Sequence, residues 1–340
     1  MNNKKLILSS IIIRTLFRRA RNPTTKTYDI ITSGAYKTNN LPRVVPKEIP
    51  RPNNIYNLVT GPYQSSILIK NQWQLEGIRA ACRRARTIID RVSDSVQAGI
   101  TTDTIDRLVH ELCISLGCYP APLHYENFPR SCCTSVNNIA LHGIPDDRPL
   151  KENDILKLDV SVYYNGFFGD VSETYLVPGT DKTKISIDSD ALYLITHARR
   201  CRDRAIAVCR PGIEFSAIGR ACEEYIKQCN GLNIVKSACG HGLGEQLHEP
   251  PQVLHYYDPN EKQMQWIMKE GMVFAIEPVL TDGNGRVKMC DDDIQVCTTD
   301  NSRCAQFEHT IAITSTGHEI LTEGKADMRP NILERKAVFV

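Results

Sequence analysis

The sequence predicts an α+β fold with two related halves, in which helices pack outside a curved antiparallel sheet. Each half shows the same order of features: two amphipathic helical segments, a Leu-His-x-x-Pro motif, an acidic residue within an apolar strand, and an Asn-Gly turn. Matching features are offset by 106 to 119 residues. Single matches of this kind are common, but a shared order indicates duplication. We therefore expect layered helices and sheets, with a site near a pseudo-twofold axis.

The helical segments are predicted from apolar residues at helical spacing and from residues that cap or end helices. In the first half, one segment stops at Gly99, and the next begins at a Thr-Asp cap and ends at Gly117. In the second half, Pro211-Gly212 separates the two segments. The four segments are residues 75–96, 101–117, 190–210 and 214–231.

Turn-forming residues follow the helices in both halves. The two Leu-His-x-x-Pro motifs contain His142 and His248. The Asn-Gly pairs are Asn165-Gly166 and Asn284-Gly285, and each predicts the two-residue turn of a β-hairpin. The first of these hairpins would place Asp159 and Asp170 on adjacent strands, facing the same way.

Composition limits the class of protein. With 340 residues and 41% apolar content, the chain can bury one large core or two ordinary ones. The net charge of +2 gives no reason to expect a nucleic acid or an acidic partner. The 13 cysteines are scattered and form no CxxC pair, which indicates reduced thiols and excludes a zinc-finger module.

The first 28 residues predict a mitochondrial transit peptide. They hold seven Lys and Arg residues and no acid, and hydroxylated and apolar residues alternate with the arginines. A secretory signal is the rival interpretation, but Arg14 ends its apolar run after eight residues. A disordered basic tail is a further alternative for this segment. In that case the protein would be located in the cytoplasm. No segment reaches the length of a membrane span.

The remaining domain boundaries follow from composition. Residues 29–61 predict a proline-rich linker that extends over a surface, since residues 39–62 contain five prolines. The catalytic domain is expected over residues 62–328, with a C-terminal tail over residues 329–340.

Five potential metal ligands lie in strand-like runs or beside glycine. They are Asp159, Asp170, His241, Glu277 and Glu308. A buried carboxylate without a partner is costly, so three such residues inside apolar strands, Asp159, Glu277 and Glu308, indicate a shared cation. One imidazole with four carboxylates suits a pair of divalent first-row ions better than a structural zinc site.

This ligand set favours hydrolysis. Two bridged ions would hold a water or hydroxide and lower its pKa towards neutrality, which provides a nucleophile. Phosphoryl transfer also uses carboxylates, but the sequence has no GxxxxGK(S/T) or GxGxxG phosphate loop, so amide hydrolysis fits better. His142 and His248, beside turn-forming residues, are candidate donors to an oxyanion or a leaving nitrogen. A capping or surface role is the alternative for both.

Five segments resemble the type 1 methionine aminopeptidases of the pita-bread fold, and the resemblance covers roughly residues 62–328. The segments are NFPRSCCTSVNNIALHGIPDDRPL, DILKLDVSVYYNGFFGDVSETY, ACGHGLGEQLHEPPQVLHY, GMVFAIEPVL and AQFEHTIAIT. The resemblance implies two divalent ions (cobalt, manganese, iron(II) or zinc) that Asp170 and Glu308 bridge. His241 and Glu277 would complete one ion, and Asp159 would chelate the other.

The implied activity is removal of the initiator methionine from nascent proteins when the second residue is small and uncharged, by a hydroxide that the two ions activate. The partners would be the N-termini of nascent polypeptides, with the ribosome as a further candidate and no direct binding to nucleic acid or membrane. Glu277 and Glu308 are 31 residues apart, which leaves no room for the helical insertion of type 2 enzymes. The absence of paired-cysteine fingers and the basic leader together imply the organellar branch of type 1.

The resemblance also implies a methionine pocket next to His142 and His248, which would contact the substrate amide. Its lining residues would be Tyr125, Phe128, Cys133, Leu247 and Ile294. Leu247 and Ile294 stand where Phe and Trp are commoner in the family, so we expect a wider pocket with fewer aromatic–sulfur contacts. Proline-specific relatives are one alternative, but their large N-terminal domain has no room here. Non-catalytic binding modules of this fold are another, and these lose ligands that this chain retains.

Overall fold

A computed structural model describes residues 26–37, 42–53, 67–181, 183 and 186–324 of the protein. All but the last three residues of the predicted transit peptide lie outside the described residues, as does the predicted C-terminal tail.

The described residues form two pairs of helices, each pair followed by a series of strands, which confirms the α+β prediction. The helices are α1 (Gln72–Val92), α2 (Thr102–Ser115), α3 (Ser189–Ala207) and α4 (Ser216–Ile226), with 3-10 turns at Ser93–Ser95, Tyr125–Asn127 and Lys262–Gln265. The strands of the first half are β1 (Tyr119–Pro120), β2 (Cys133–Val136), β3 (Ile139–Leu141), β4 (Ile155–Tyr164) and β5 (Phe167–Leu176). The later strands are β6 (Asn233–Ile234), β7 (Cys239–Gly242), β8 (Glu249–Leu254), β9 (Val273–Ile276), β10 (Val279–Thr281), β11 (Val287–Met289), β12 (Val296–Thr298), β13 (Cys304–Gln306), β14 (His309–Ile313) and β15 (His318–Ile320).

Each of the four predicted helical segments is a helix, and each begins near a polar or glycine-rich turn. α1 starts three residues earlier than predicted, because Asn71 and Gln74 form a capping box. α2 starts after Thr101, whose side chain accepts a hydrogen bond from the backbone amide of Thr104, as the Thr-Asp cap predicted. α3 is capped by the side chain of Asp188.

The strands form antiparallel sheets that the helices cover. β4 pairs along its length with β5 and, on its other edge, with β1 and β2. A second sheet has the order β15-β14-β9-β7-β8, and two three-stranded sheets have the orders β13-β10-β6 and β11-β12-β3. α1 and α2 share one apolar cluster with β4 and β5, whereas α3 and α4 share another with β9, β10, β13 and β14. Each half therefore has its own main core.

The two Asn-Gly pairs have different structural roles. Asn165 and Gly166 have φ angles of 49° and 94° and form the turn of the β4–β5 hairpin. The same prediction for Asn284-Gly285 is wrong, because the flanking strands β10 and β11 belong to different sheets. Here the backbone amide of Asn284 donates to Asp300 Oδ2 and its side-chain oxygen accepts from the amide of Arg286, so polar side chains redirect the backbone.

The described parts of the N-terminal region lie against the folded domain. Val45 and Ile49 are buried beside Tyr119, and Arg43 forms an ion pair with Asp106 at 2.7 Å. Residues 26–37 also contact the domain, through hydrogen bonds with the side chains of Asn137 and Asn138. Within the described residues, none of the helices combines the length and apolar character that crossing a bilayer requires.

Candidate metal centre and substrate cavity

The β4–β5 hairpin places the first two candidate ligands on one face. Ser161 is paired with Asp170, and Asp159 is paired with Ser172. Because paired residues share a face and side chains alternate along a strand, both aspartates point the same way. The two-residue turn at positions 165–166 fixes this register, so the hairpin alone brings the aspartates together.

The other three candidate ligands come from the second half of the chain. His241 lies on β7, Glu277 directly follows β9, and Glu308 lies between β13 and β14. The backbone amide of Glu308 donates to the carbonyl of Ser172 at 2.9 Å, which joins this segment to β5. The candidate centre therefore forms only where the two halves meet.

Close backbone packing explains the glycines on both sides of His241. A Cβ atom at Gly240 would lie 2.2 Å from the carbonyl oxygen of Ala275, and one at Gly242 would lie 2.3 Å from that of Pro250. The β7–β8 register also shifts between His241 and Gly242. Irregular pairing of this kind re-aims a side chain, and here it lies directly at the candidate ligand.

The ligand atoms lie within reach of shared cations. Atoms of Asp170, His241 and Glu308 all lie within 4.8 Å of one another. His241 Nε2 lies 3.7 Å from Asp170 Oδ2 and 3.5 Å from Glu277 Oε1. Asp159 lines the same cavity as the other four residues. The structure thus brings together all five residues that the sequence indicated.

The four carboxylates repel one another in a poorly solvated place. Burial, and then repulsion from neighbouring carboxylates, raises the pKa of Asp159, Glu277 and Glu308 well above the usual range. Burial also raises the pKa of Asp170, although His241 opposes this change. Among the described residues, Asp159 Oδ1 and Glu308 Oε1 have no hydrogen-bond partner. Divalent cations would complete such an oxygen-rich set, so the residues present fit a metal centre.

Two further polar side chains orient these carboxylates, and a third holds the backbone of Glu277. Ser161 donates to Asp170 Oδ1 at 2.8 Å, and Gln306 donates to Glu277 Oε2 at 2.9 Å. His255 Nε2 accepts the backbone amide of Glu277 at 3.1 Å, and because burial lowers the pKa of His255 to about 3, the ring stays neutral. The hairpin register would have identified Ser161 from the sequence. No sequence pattern identifies Gln306 as a functional residue, and the sequence predicts no functional role for His255.

His142 and His248 are both open to the cavity. His248 Nδ1 lies 2.7 Å from the Tyr125 hydroxyl, and its ring centroid lies 4.4 Å from that of His241. Both side chains are exposed to the open cavity, but the protein around them partly desolvates the rings, which lowers the pKa of His142 and takes the pKa of His248 well below its usual range. Both rings are therefore neutral at pH 7, and each keeps one N–H to donate.

One cavity of about 780 Å³ contains the candidate ligands and both histidines. The residues predicted to hold a methionine side chain line the same cavity: Tyr125, Phe128, Cys133, Leu247 and Ile294. Phe128, Cys133 and Leu247 are buried. A charged centre and an apolar wall thus share one chamber, an arrangement suited to a small ligand with both kinds of group.

Three cavity-lining residues other than glycine have a left-handed backbone. They are Glu126 (φ 47°), His142 (φ 54°) and Asp293 (φ 57°). Each such conformation costs on the order of 1–3 kcal/mol, and strain of this kind is concentrated at functional sites. Glu126 and Asp293 could not be identified from the sequence, because positive φ is uncommon for residues other than glycine and neither position lies in a recognisable motif.

Comparison with known proteins defines the class. Residues 76–315 match the sequence pattern of metallopeptidase family M24, and the chain belongs to this family. It is 44% identical over 279 residues to methionine aminopeptidase 1D, mitochondrial, from Mus musculus, and 43% identical over 279 residues to the Homo sapiens protein of that name. These alignments cover 82% of this chain and 80% of each relative.

The fold comparison agrees with the sequence comparison. The crystal structure of methionine aminopeptidase from Rickettsia prowazekii matches with a TM-score of 0.71 at 35% identity, over 76% of this chain and 100% of that one. The resemblance to methionine aminopeptidases and the pita-bread fold, both expected from the sequence motifs, are confirmed.

Proposed function

We propose that this metallopeptidase removes the N-terminal methionine from proteins whose second residue is small and uncharged. The observation that carries the proposal is the single cavity that combines a carboxylate–histidine centre with an apolar wall. Sequence identity above 40% to proteins named methionine aminopeptidase supports the same activity.

Asp159, Asp170, His241, Glu277 and Glu308 would hold two divalent ions, with Asp170 and Glu308 as the shared ligands. When bound, such ions polarise a carbonyl group and lower the pKa of water, which supplies a nucleophile at neutral pH. Cobalt, manganese, iron(II) and zinc all accept this donor set, so metal supply decides between them.

The other residues of the chain would bind and orient the peptide. The apolar wall accepts a linear thioether side chain, and the carboxylates attract the positive α-ammonium group of the substrate. The neutral rings of His142 and His248 would donate to the scissile amide or to the charge that develops on it. The contact with Tyr125 at 2.7 Å restricts rotation of the His248 ring, which keeps its other nitrogen available to the cavity.

We further propose that the protein acts in mitochondria on the N-termini of nascent polypeptides, close to the ribosome. The basic residues 1–28, as a transit peptide, and the relatives named mitochondrial support this location. In this proposal, residues 29–61 are a linker, residues 62–328 form the catalytic domain and residues 329–340 are a tail.

The test is hydrolysis of a Met-Ala-Ser peptide by the full-length chain, stripped of metal and supplied in turn with each of the four ions. We expect methionine release with at least one ion, none in chelator, and little release from Met-Leu-Ser. An Asp170→Asn variant controls for contaminating peptidases and should be inactive. Cleavage of Xaa-Pro peptides in place of Met-Ala-Ser would indicate the proline-specific activity, and cleavage of neither would reject the proposal.

A further inference from the structure

Residues 26–37, which we call the N-terminal strap, cross the surface beside the substrate cavity. The strap straddles the predicted end of the transit peptide and is held at several points. Asn137 Nδ2 donates to the carbonyl of Asp29 at 3.0 Å. The backbone of Ile31 exchanges two hydrogen bonds with the Asn138 side chain, at 2.6 and 3.0 Å. Asp29 also pairs with Arg148 at 2.9 Å. These contacts fix the strap without involving the cavity wall.

One strap residue, Ser33, makes a different set of contacts. Its hydroxyl donates to Asp292 Oδ2 at 2.5 Å and accepts from Gln295 Nε2 at 3.1 Å. Gln295 Nε2 also donates to Asp292 Oδ2 at 2.6 Å. The three side chains form a closed triangle that joins the strap to the segment between β11 and β12. Ile294, which belongs to that segment, lines the substrate cavity.

Asp292 holds the backbone of this segment in turn. Its Oδ1 accepts the amides of Ile294 and Gln295, at 2.9 and 2.8 Å. Burial opposes ionisation of this carboxyl, but the hydrogen bonds from Ser33 and Gln295 outweigh it and leave the pKa of Asp292 below its usual value. An ionised carboxylate can only accept hydrogen bonds. It can therefore accept all four at once, from the Ser33 hydroxyl, Gln295 Nε2 and the two backbone amides.

Gln295 extends the same network to the part of the cavity wall that contains His142. Its side-chain oxygen accepts the amide of Ile144 at 3.0 Å, two residues beyond His142. Ser33 is therefore one hydrogen bond away from groups that place both Ile294 and His142.

We propose that Ser33 is a positioning residue for substrate selection, which acts through Asp292 and Gln295 to hold Ile294 and His142 in the cavity wall. The inference rests on the proposed function, in which these two residues contact the substrate. Because Asp29 and Ile31 anchor the strap independently, loss of the Ser33 hydroxyl should loosen the cavity wall and leave the strap attached. A further consequence is that any processing of the leader must leave Ser33 in the mature chain.

The test compares Ser33→Ala with Ser33→Thr, which keeps the hydroxyl, and with Thr32→Ala, a neighbouring exposed position, in the full-length chain. kcat and KM are measured separately for Met-Ala-Ser and Leu-Ala-Ser peptides. We expect Ser33→Ala to lower kcat/KM for Met-Ala-Ser about tenfold, since small displacements of orienting groups have effects of this size or larger. The preference for methionine over leucine should fall about threefold as the wall at Ile294 loosens. Ser33→Thr and Thr32→Ala should stay within about twofold of the wild type, well below the tenfold effect.

Hydrogen–deuterium exchange gives a readout that does not depend on activity. Amides of residues 290–297 and 142–146 should exchange about tenfold faster in Ser33→Ala, because their local opening is no longer opposed by the network. Exchange in the same peptides of Thr32→Ala should be unchanged. If Ser33→Ala does not fold, Asp292→Asn, which replaces the Oδ2 acceptor with a donor, is compared in the same way.

Wild-type exchange and wild-type selectivity in Ser33→Ala would overturn the inference, as would equal defects in the Ala and Thr variants. Failure of the wild-type chain to cleave either peptide would reject the proposed function instead. In that case the exchange experiment still decides whether Ser33 positions the cavity wall.

Discussion

Replacing Glu308 with glutamine should stabilise the metal-free protein while it removes the response to metal. Burial and three neighbouring carboxylates raise the pKa of Glu308 in the folded state. A carboxyl group whose folded-state pKa lies above the unfolded value stabilises the fold at low pH, and this contribution is lost as pH rises from about 4 through the folded-state pKa. Glutamine has nearly the same shape but no charge, so Glu308→Gln should avoid this loss.

The distances in the site set the size of the effect. Carboxylate oxygens of Asp170 and Glu308 lie within 4.8 Å of each other. Two unit charges at that distance repel by about 3 kcal/mol at an effective dielectric constant of about 20. In a domain of this size, each kcal/mol shifts Tm by roughly 2 °C or more. We therefore expect Glu308→Gln to melt at least about 5 °C higher than the wild type at pH 8, and the difference to shrink towards pH 5.

Thermal melting in chelator at pH 5, 6.5 and 8 measures this difference. Glu173→Gln is the matched control. Like Glu308, Glu173 is a buried carboxylate, but it lies on β5 and forms an ion pair with Arg86 at 2.8 Å. Its loss leaves a buried guanidinium poorly paired, so this variant should melt lower than the wild type. Added manganese should then raise the Tm of the wild type far more than that of Glu308→Gln. If the Tm of Glu308→Gln in chelator at pH 8 is equal to or lower than that of the wild type, the carboxylates of the metal-free site do not repel one another as proposed.

Three other predictions concern catalysis, selectivity and delivery. His142→Ala and His248→Ala should retain metal, as measured by elemental analysis, but lose about 10²–10³-fold in rate, and loss of metal instead would make that histidine a ligand. Ile294→Trp should raise the ratio of kcat/KM for Met-Ala over Leu-Ala peptides by narrowing the pocket, and an unchanged ratio would show that Ile294 does not contact the first side chain. Residues 1–35 fused to a fluorescent reporter should direct it to mitochondria, whereas a diffuse cytosolic signal would contradict the transit-peptide prediction.

Features decided by nearby residues could be predicted from the sequence. The helices follow from apolar spacing and caps such as Thr101, and the β4–β5 hairpin follows from Asn165-Gly166. The candidate ligands could be identified before the fold was known, because an acid within an apolar strand is costly wherever that strand lies. The candidate ligands then meet in one cavity because the two halves of the chain pack together.

Features decided by distant residues could not be predicted in this way. Asn284-Gly285 has the same local chemistry as the first Asn-Gly pair, but the hydrogen bond with Asp300 directs it into a different turn. The Ser33–Asp292 contact joins residues 259 positions apart, and neither residue lies in a motif. Gln306 likewise orients Glu277 from another strand. Such partners become visible only when the register of every intervening strand is known.

The left-handed residues around the cavity have a consequence for how this protein responds to selection. Glycine at Glu126 or Asp293 would relieve backbone strain, so a screen for thermostability should enrich substitutions at these two positions. The same changes would remove side chains that line the substrate cavity and would give the surrounding loops more freedom. Stability and substrate discrimination are therefore expected to compete at these positions, and a more robust form of this enzyme would be a less selective one.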